Sequence, residues 1–344
     1  MHLNRMIKKF VFCKEILFNK SYSEQQSDNV IIFDTSIDSD NLGDYIINDY
    51  CKKILDEAGI TAIGKVATHR QQTNEELQLL KLNSLKIVTG TNILSSSLSS
   101  QWVRPMKLSL QTNVLLMGVG WTDYNDKVDF LTSVYYKKIL TKKYKHSVRD
   151  RYTQKALNKI GIENVIYTGC PTMWGLTEEH CKKIPENKGR NVVCTITDYS
   201  EHRELDYVML DILLENYEKV FFWPQGKNDL RYISDYENVN KLHILDESLD
   251  AYDRLLKSNV SLDYVGTRLH AGIRALNNQR RTIVIAIDNR AIEISKDTGL
   301  QIVHRAEIKE KLSNFINSHF STVITLPFDS INEWKEQLKR ISGN

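Results

Sequence analysis

The residues whose types and spacing could do chemistry stand in Gly266-Thr-Arg-Leu-His-Ala-Gly272. An arginine offers a planar, permanently charged fork to a phosphate or a carboxylate. A histidine two positions on can give or take a proton near neutral pH. The stretch follows an apolar, β-branched run ending near Tyr264 and precedes a helical pattern through Ile273 and Leu276. Arg268, Leu269 and His270 are therefore expected where a strand gives way to a helix. In α/β sheets such junctions line the carboxyl edge, where ligands bind, and the unpaired N–H groups of a helix start favour an anion. The same residues also fit a blander account, in which Arg268 makes a surface ion pair and His270 is a half-buried, satisfied side chain.

The elements that must position these residues alternate between strand and helix along the chain. Val30–Phe33 reads as a strand covered on both faces. It is followed by Asn41-Leu-Gly-Asp44 and a helix to about Ala58. Asn41 or Asp44 can cap that helix, Gly43 lets backbone approach a ligand, and both polar residues could bind acceptor hydroxyls. Further strands are expected at 62–67, 85–88 and 114–117, the last running into Gly118-Val-Gly-Trp121, and Ser95–Ser100 reads as a mobile loop. Thr73 and Glu76 have capping-box spacing. Ser147-Val-Arg-Asp-Arg151 opens a helix, and Arg149 there could hold an anion. The pattern restarts after a polar stretch at 178–190 and includes a terminal helix at 334–340. The expectation is an α/β protein with two Rossmann-like, doubly wound parallel-sheet domains facing a cleft. They would be a first domain over 1–185 and a second over 190–344, the last helix packing back on the first. Trp121, Trp174 and Trp223 fall at or near strand ends; any could stack on a sugar ring or pack in the core.

Bulk properties narrow the classes. The chain has 344 residues, enough for two domains, and its formal net charge of +3 carries no basic block, so nucleic acid is not expected as a partner. Five cysteines without C-x-x-C spacing read as free thiols, and no metal site is expected. No apolar run reaches the roughly 18 residues of a membrane span. Residues 1–18 form a basic amphipathic segment that could lie on the inner face of a membrane or pack on its own domain, so the protein is expected in the cytoplasm. No Walker A pattern occurs, and Gly118-Val-Gly120 lacks the third glycine of a dinucleotide fingerprint.

Gly266-Thr-Arg-Leu-His-Ala-Gly272, Ser147-Val-Arg-Asp150, Thr168-Gly-Cys-Pro-Thr172, Asn41-Leu-Gly-Asp44 and Asp288-Asn-Arg-Ala291 resemble, in order and spacing, the polysaccharide pyruvyltransferase family. The resemblance implies a GT-B-like fold and transfer of a pyruvyl group from phosphoenolpyruvate to a sugar in a surface, capsular or exopolysaccharide precursor, with release of phosphate. It implies donor contacts from Arg268, Leu269, His270 and Arg149, with one arginine from each domain clamping the donor. Phosphoenolpyruvate is then a substrate, and no cofactor is needed. His270 is expected either to transfer the proton or to be a charged donor to the departing phosphate, and acceptor activation is expected from Asp44, with Asp123 a weaker choice; Asn41, Gly43, Asp44 and Trp121 would bind the acceptor sugar, which can be lipid-linked. Two other functions fit the same chain: a glycosyltransferase using a nucleotide sugar, with Asp288 or Glu293 near the ribose, and a non-catalytic member of a polysaccharide assembly complex. The sequence sets no oligomeric state.

Overall fold

The structure is a computed structural model that describes residues 11–18, 29–98, 102, 104, 107–125 and 127–343. The chain divides into two compact units. The first comprises Met1–Ser39, Ile47–Pro171 and Pro327–Asn344; the second comprises Asp40–Ile46 and Thr172–Leu326. The division at Pro171 and Thr172 precedes the polar stretch expected to separate the domains. The reason is local: the Thr172 carbonyl accepts from Asn277 at 2.8 Å, and the His180 ring bonds the Leu276 carbonyl at 2.8 Å, which ties 172–190 to the second unit. The division also gives Asp40–Ile46 to the second unit and the terminal helix Phe328–Ser342 to the first.

In the first unit, β1 (Val30–Asp34), β2 (Ala62–Ala67), β3 (Leu85–Thr89) and β5 (Val114–Met117) form a parallel sheet in the order β2-β1-β3-β5. Their continuous apolar runs are those of strands covered on both faces, and β1, β3 and β5 are buried at every position. Lys86 in β3 is one of the polar exceptions, with Asp34 in β1 and Thr89 in β3. The Lys86 ammonium donates to the Thr112 carbonyl at 3.0 Å, and burial lowers its pKa to about 8. Two short parallel pairs adjoin: β4 (Asn92–Leu94) with β6 (Gly120–Trp121), and β7 (His146–Val148) with β8 (Val165–Tyr167). Residues 11–18 are helical and bury Phe12 and Ile16 in this unit's core, while Val11, Leu17 and Phe18 are exposed. The rest of the basic N-terminal segment lies outside the described residues. Among the described residues, no helix is long and apolar enough to cross a membrane.

The serine-rich stretch is anchored where it is described. Ser95 and Ser96 are buried, the Ser95 N–H donates to Tyr136 at 2.9 Å, and the Ser96 N–H donates to Asp123 at 3.1 Å. The expected mobile loop is thus held at its first residues, and Asp123 is the group that holds it. Ser99 and Ser100 lie outside the described residues.

The second unit is a six-stranded parallel sheet in the order β11-β10-β9-β12-β13-β14. Its strands are β9 (Asn191–Thr195), β10 (Lys219–Phe222), β11 (His243–Ile244), β12 (Leu262–Gly266), β13 (Arg281–Ala286) and β14 (Ile302–His304). β12 and β13 are buried at every position. From β9 the chain winds outward through β10 and β11, then returns to the other side of β9 for β12, β13 and β14. The order therefore reverses between β9 and β12. Helices diverge at such a reversal and leave a crevice at the carboxyl ends of the strands.

Candidate active site

Four of the expected residues, Asn41, Arg268, Leu269 and His270, lie in the crevice predicted by that reversal. A pocket there is lined by Asn41, Tyr199, Gln225, Thr267, Arg268, Leu269, His270, Ile287, Asp288, Arg290 and Ala291. Apart from Asn41, these follow the carboxyl ends of β9, β10, β12 and β13. Across the reversal the Thr197 and Thr267 hydroxyls share a hydrogen bond of 2.7 Å.

Arg268 stands at the N-cap position of the helix Leu269–Asn277, with φ −90° and ψ 102°, and its side chain does not cap that helix. The first N–H groups of the helix thus keep the positive end of the helix dipole beside the pocket. The backbone is pinned: the Tyr264 hydroxyl donates to the Arg268 carbonyl at 2.7 Å and bonds Thr195 at 2.7 Å. The guanidinium is almost fully enclosed. Nε donates to the Ile196 carbonyl at 2.9 Å, and Nη2 donates to Asp198 at 2.9 Å and Asp229 at 2.6 Å. Nη1 takes part in none of these bonds. Asp229 is itself buried; its other oxygen accepts the N–H groups of Gln225 at 2.9 Å and Gly226 at 2.7 Å. Burial raises the Asp229 pKa, while Arg268 and those two N–H groups oppose the rise. A side chain at Gly226 would place its Cβ 2.3 Å from Arg268 Nη2, so the guanidinium lies where only glycine leaves room.

Gln225 joins this turn to Asn41. Its Nε2 donates to Asn41 Oδ1 at 2.8 Å, and its carbonyl accepts the Leu42 N–H at 2.9 Å. Asn41 Oδ1 also accepts the Gly43 N–H at 3.1 Å, the geometry of a helix N-cap. A Cβ at Gly43 would come within 2.8 Å of Gln225 Nε2 and push that amide off its bond to Asn41. On the opposite wall, Asp288 caps the helix Asn289–Thr298 by accepting the Arg290 N–H at 2.9 Å, and its second oxygen holds Arg290 Nε at 2.8 Å. Arg290 Nη2 also donates to the Tyr199 hydroxyl. The Tyr199 ring lies against both arginines, its centroid 5.1 Å from Cζ of Arg268 and 5.7 Å from Cζ of Arg290.

The structure brings Arg268, Leu269, His270 and Asn41 to one pocket. His270, half-buried, is the second residue of its helix. Gly43, Asp44, Trp121 and Arg149 are not among the pocket's lining residues. Asn41, Gly43 and Asp44 belong to the second unit. Asp44 is half-buried in the first turn of the helix Leu42–Glu57 and is not among the pocket-lining residues; Asn41, not Asp44, makes the capping bond to Gly43. Trp121 is fully buried and packs edge-on against Tyr136, so no ring face is open to a sugar; Trp223 is also enclosed, stacked on Tyr252 at 4.0 Å. Arg149, at the end of β7 in the first unit, is enclosed rather than open, its Nη2 bonding Tyr124 and Asp150 at 3.2 Å each.

Sequence reasoning missed Tyr199, Gln225, Thr267 and the carboxylates Asp198 and Asp229. Their signal was positional: each follows the end of β9, β10 or β12, and only the strand order makes those ends neighbours.

Two solved structures share the fold. The UDP-GlcNAc 2-epimerase of Methanocaldococcus jannaschii aligns with a TM-score of 0.52 at 12% identity, over 91% of this chain and 98% of that one. The same enzyme in complex with UDP-GlcNAc and UDP aligns with a TM-score of 0.51 at 11% identity, over 92% and 99%. A search of curated proteins returned no match. The model of the family described as polysaccharide pyruvyl transferase matches residues 41–289. That span runs from the capping Asn41 to the first residue of the helix that carries Arg290 and takes in most of the pocket, and on this ground the chain belongs to the polysaccharide pyruvyl transferase family.

Proposed function

We propose that this pocket binds phosphoenolpyruvate and that the protein transfers its pyruvyl group to hydroxyls of a sugar in a surface polysaccharide precursor, releasing phosphate. The observation that carries the reading is the juxtaposition of Arg268, His270 and an uncapped helix start at the reversal of the sheet, in a chain of this family. An enol phosphate needs charge-assisted donors on its oxygens, and backbone N–H groups at a helix start supply them without reorganisation.

The transfer adds a proton to the methylene carbon and the oxygen of a sugar hydroxyl, which gives up its own proton, to the adjacent carbon. The bond from that carbon to the phosphate oxygen then breaks, phosphate leaves with the electron pair, and a second sugar hydroxyl closes the ketal as it loses its proton. His270 is the pocket side chain able to carry a proton near neutral pH, and we assign it the proton delivery. Arg268, fixed by two carboxylates and a carbonyl, presents Nη1 to the phosphate without having to order itself first.

The test is phosphate release from phosphoenolpyruvate across a panel of free and lipid-linked saccharides, with each product weighed for an added pyruvyl ketal. The wild type releases phosphate with at least one acceptor, and Arg268→Ala, while folded, does not. Undiminished turnover in Arg268→Ala overturns the reading. So does stabilisation of the wild type by nucleotide sugars but not by phosphoenolpyruvate.

A further inference from the structure

Phosphoenolpyruvate carries two anionic groups, and the pocket holds two arginines mounted in the same way. Arg268 is tethered through Nε and Nη2 by Ile196, Asp198 and Asp229. Arg290 is tethered through Nε and Nη2 by Asp288, with Tyr199 on Nη2 as well. In neither case does Nη1 take part in the tether, and both residues line the pocket. Each stands at the start of a helix, and one tyrosine ring lies against both guanidinium groups. A guanidinium held side-on by a carboxylate has lost its rotamer freedom before any ligand arrives, so its remaining donor acts as a fixed reading head.

The two ends differ in what surrounds them. The Arg268 end adds His270 and the uncapped start of Leu269–Asn277, which suits the three oxygens of a phosphate dianion. At the Arg290 end the helix start is already capped by Asp288, whose charge offsets the arginine, and Ile287 and Ala291 supply apolar wall. One planar monoanion on an apolar stem fits that end better than a phosphate does. We infer that Arg290, positioned by Asp288 and Tyr199, is the specificity-determining residue that takes the donor's carboxylate, leaving the phosphate to the Arg268 end. This rests on the reading of the pocket as a phosphoenolpyruvate site and adds to it the group that tells the donor from other phosphate esters.

The experiment compares two probes that do not react: phospholactate, which keeps phosphate and carboxylate, and isopropyl phosphate, in which a methyl group replaces the carboxylate. Affinities are measured by calorimetry for the full chain as wild type, Arg290→Ala and Arg290→Lys, with thermal unfolding of each variant as a check on folding. Losing a charge-assisted bond of this kind corresponds to about ten- to hundredfold in affinity. The wild type is expected to prefer phospholactate by that ratio. Arg290→Ala brings the ratio close to one with isopropyl phosphate binding retained, and Arg290→Lys, which keeps the charge without the planar fork, falls between. The inference is overturned if Arg290→Ala keeps the wild-type ratio, or if both probes weaken equally, which marks a structural role. A wild type that shows no preference, or binds neither probe, instead overturns the donor reading and takes the inference with it.

Discussion

At the scale of single residues, the site is built from charges that are held before they are used. Arg268 is buried with Asp229, and removing that carboxylate leaves the enclosed guanidinium with one of its two tethering carboxylates, Asp198. Asp229→Ala is therefore expected to cost about 3–5 kcal/mol in urea unfolding and to lower phosphate release from phosphoenolpyruvate; Asp229→Asn, which keeps the shape and an acceptor oxygen, costs less. A variant Asp229→Ala within about 1 kcal/mol of wild type would show that the pair is not what fixes the guanidinium. Arg268 and His270 could be read from the chain because a strand-to-helix junction declares itself locally. Their tethers could not. Asp198 and Asp229 come from turns 70 and 39 positions away, and nothing near Arg268 in the sequence names them.

At the scale of elements, the continuous apolar runs at 30–33, 85–88 and 114–117 gave the strands of the first sheet because burial on both faces leaves no polar alternation. The Thr73 and Glu76 capping box was legible for the same local reason, and both of its bonds are present. The strands Asn92–Leu94 and Gly120–Trp121 are too short to carry a period, and the helix Phe328–Ser342 begins at Pro327 without a side-chain cap, so its first turns gave no signal. The junction of β7 with β5 makes a pH prediction. His146 is fully buried; its Nε2 bonds the Thr141 carbonyl at 3.0 Å and its Nδ1 accepts the Leu116 N–H at 3.3 Å, so the neutral ring satisfies both neighbours. Burial lowers its pKa to about 4, with the bond to Thr141 opposing. The unfolded chain binds this proton below about pH 6.5 and the folded chain only near 4. Stability is thus unaffected above about pH 6.5 and falls by roughly 3 kcal/mol as pH drops to 4. Urea unfolding of wild type and His146→Gln, whose amide can serve both neighbours without titrating, should diverge over that window. Parallel pH profiles would rule the histidine out as the cause.

At the scale of the whole molecule, the chain leaves the first unit, enters the second, and crosses between them more than once, because Asp40–Ile46 and Pro327–Asn344 join units remote from their sequence neighbours. A composition shift marks where a chain becomes polar, not which sheet a segment bonds to, and the polar stretch at 178–190 falls inside the second unit. The terminal helix is part of the first unit's core: Trp334 is fully buried and its Nε1 donates to the Lys145 carbonyl at 2.8 Å, which Gln337 also bonds, at 2.7 Å. Trp334→Ala should cost about 3–5 kcal/mol in chemical unfolding, and a cost below about 1 kcal/mol would mean that the helix is not integral to the unit. The central claim concerns the second unit, where the reversal of strand order at β9 and β12 makes an anion site out of residues far apart in sequence. Its most direct test is a crystal structure of the protein with bound phosphoenolpyruvate. The account predicts the donor's phosphate within hydrogen-bonding distance of Arg268 Nη1 and His270 at the start of Leu269–Asn277; a donor bound elsewhere, or a pocket left empty at a saturating concentration, would contradict it.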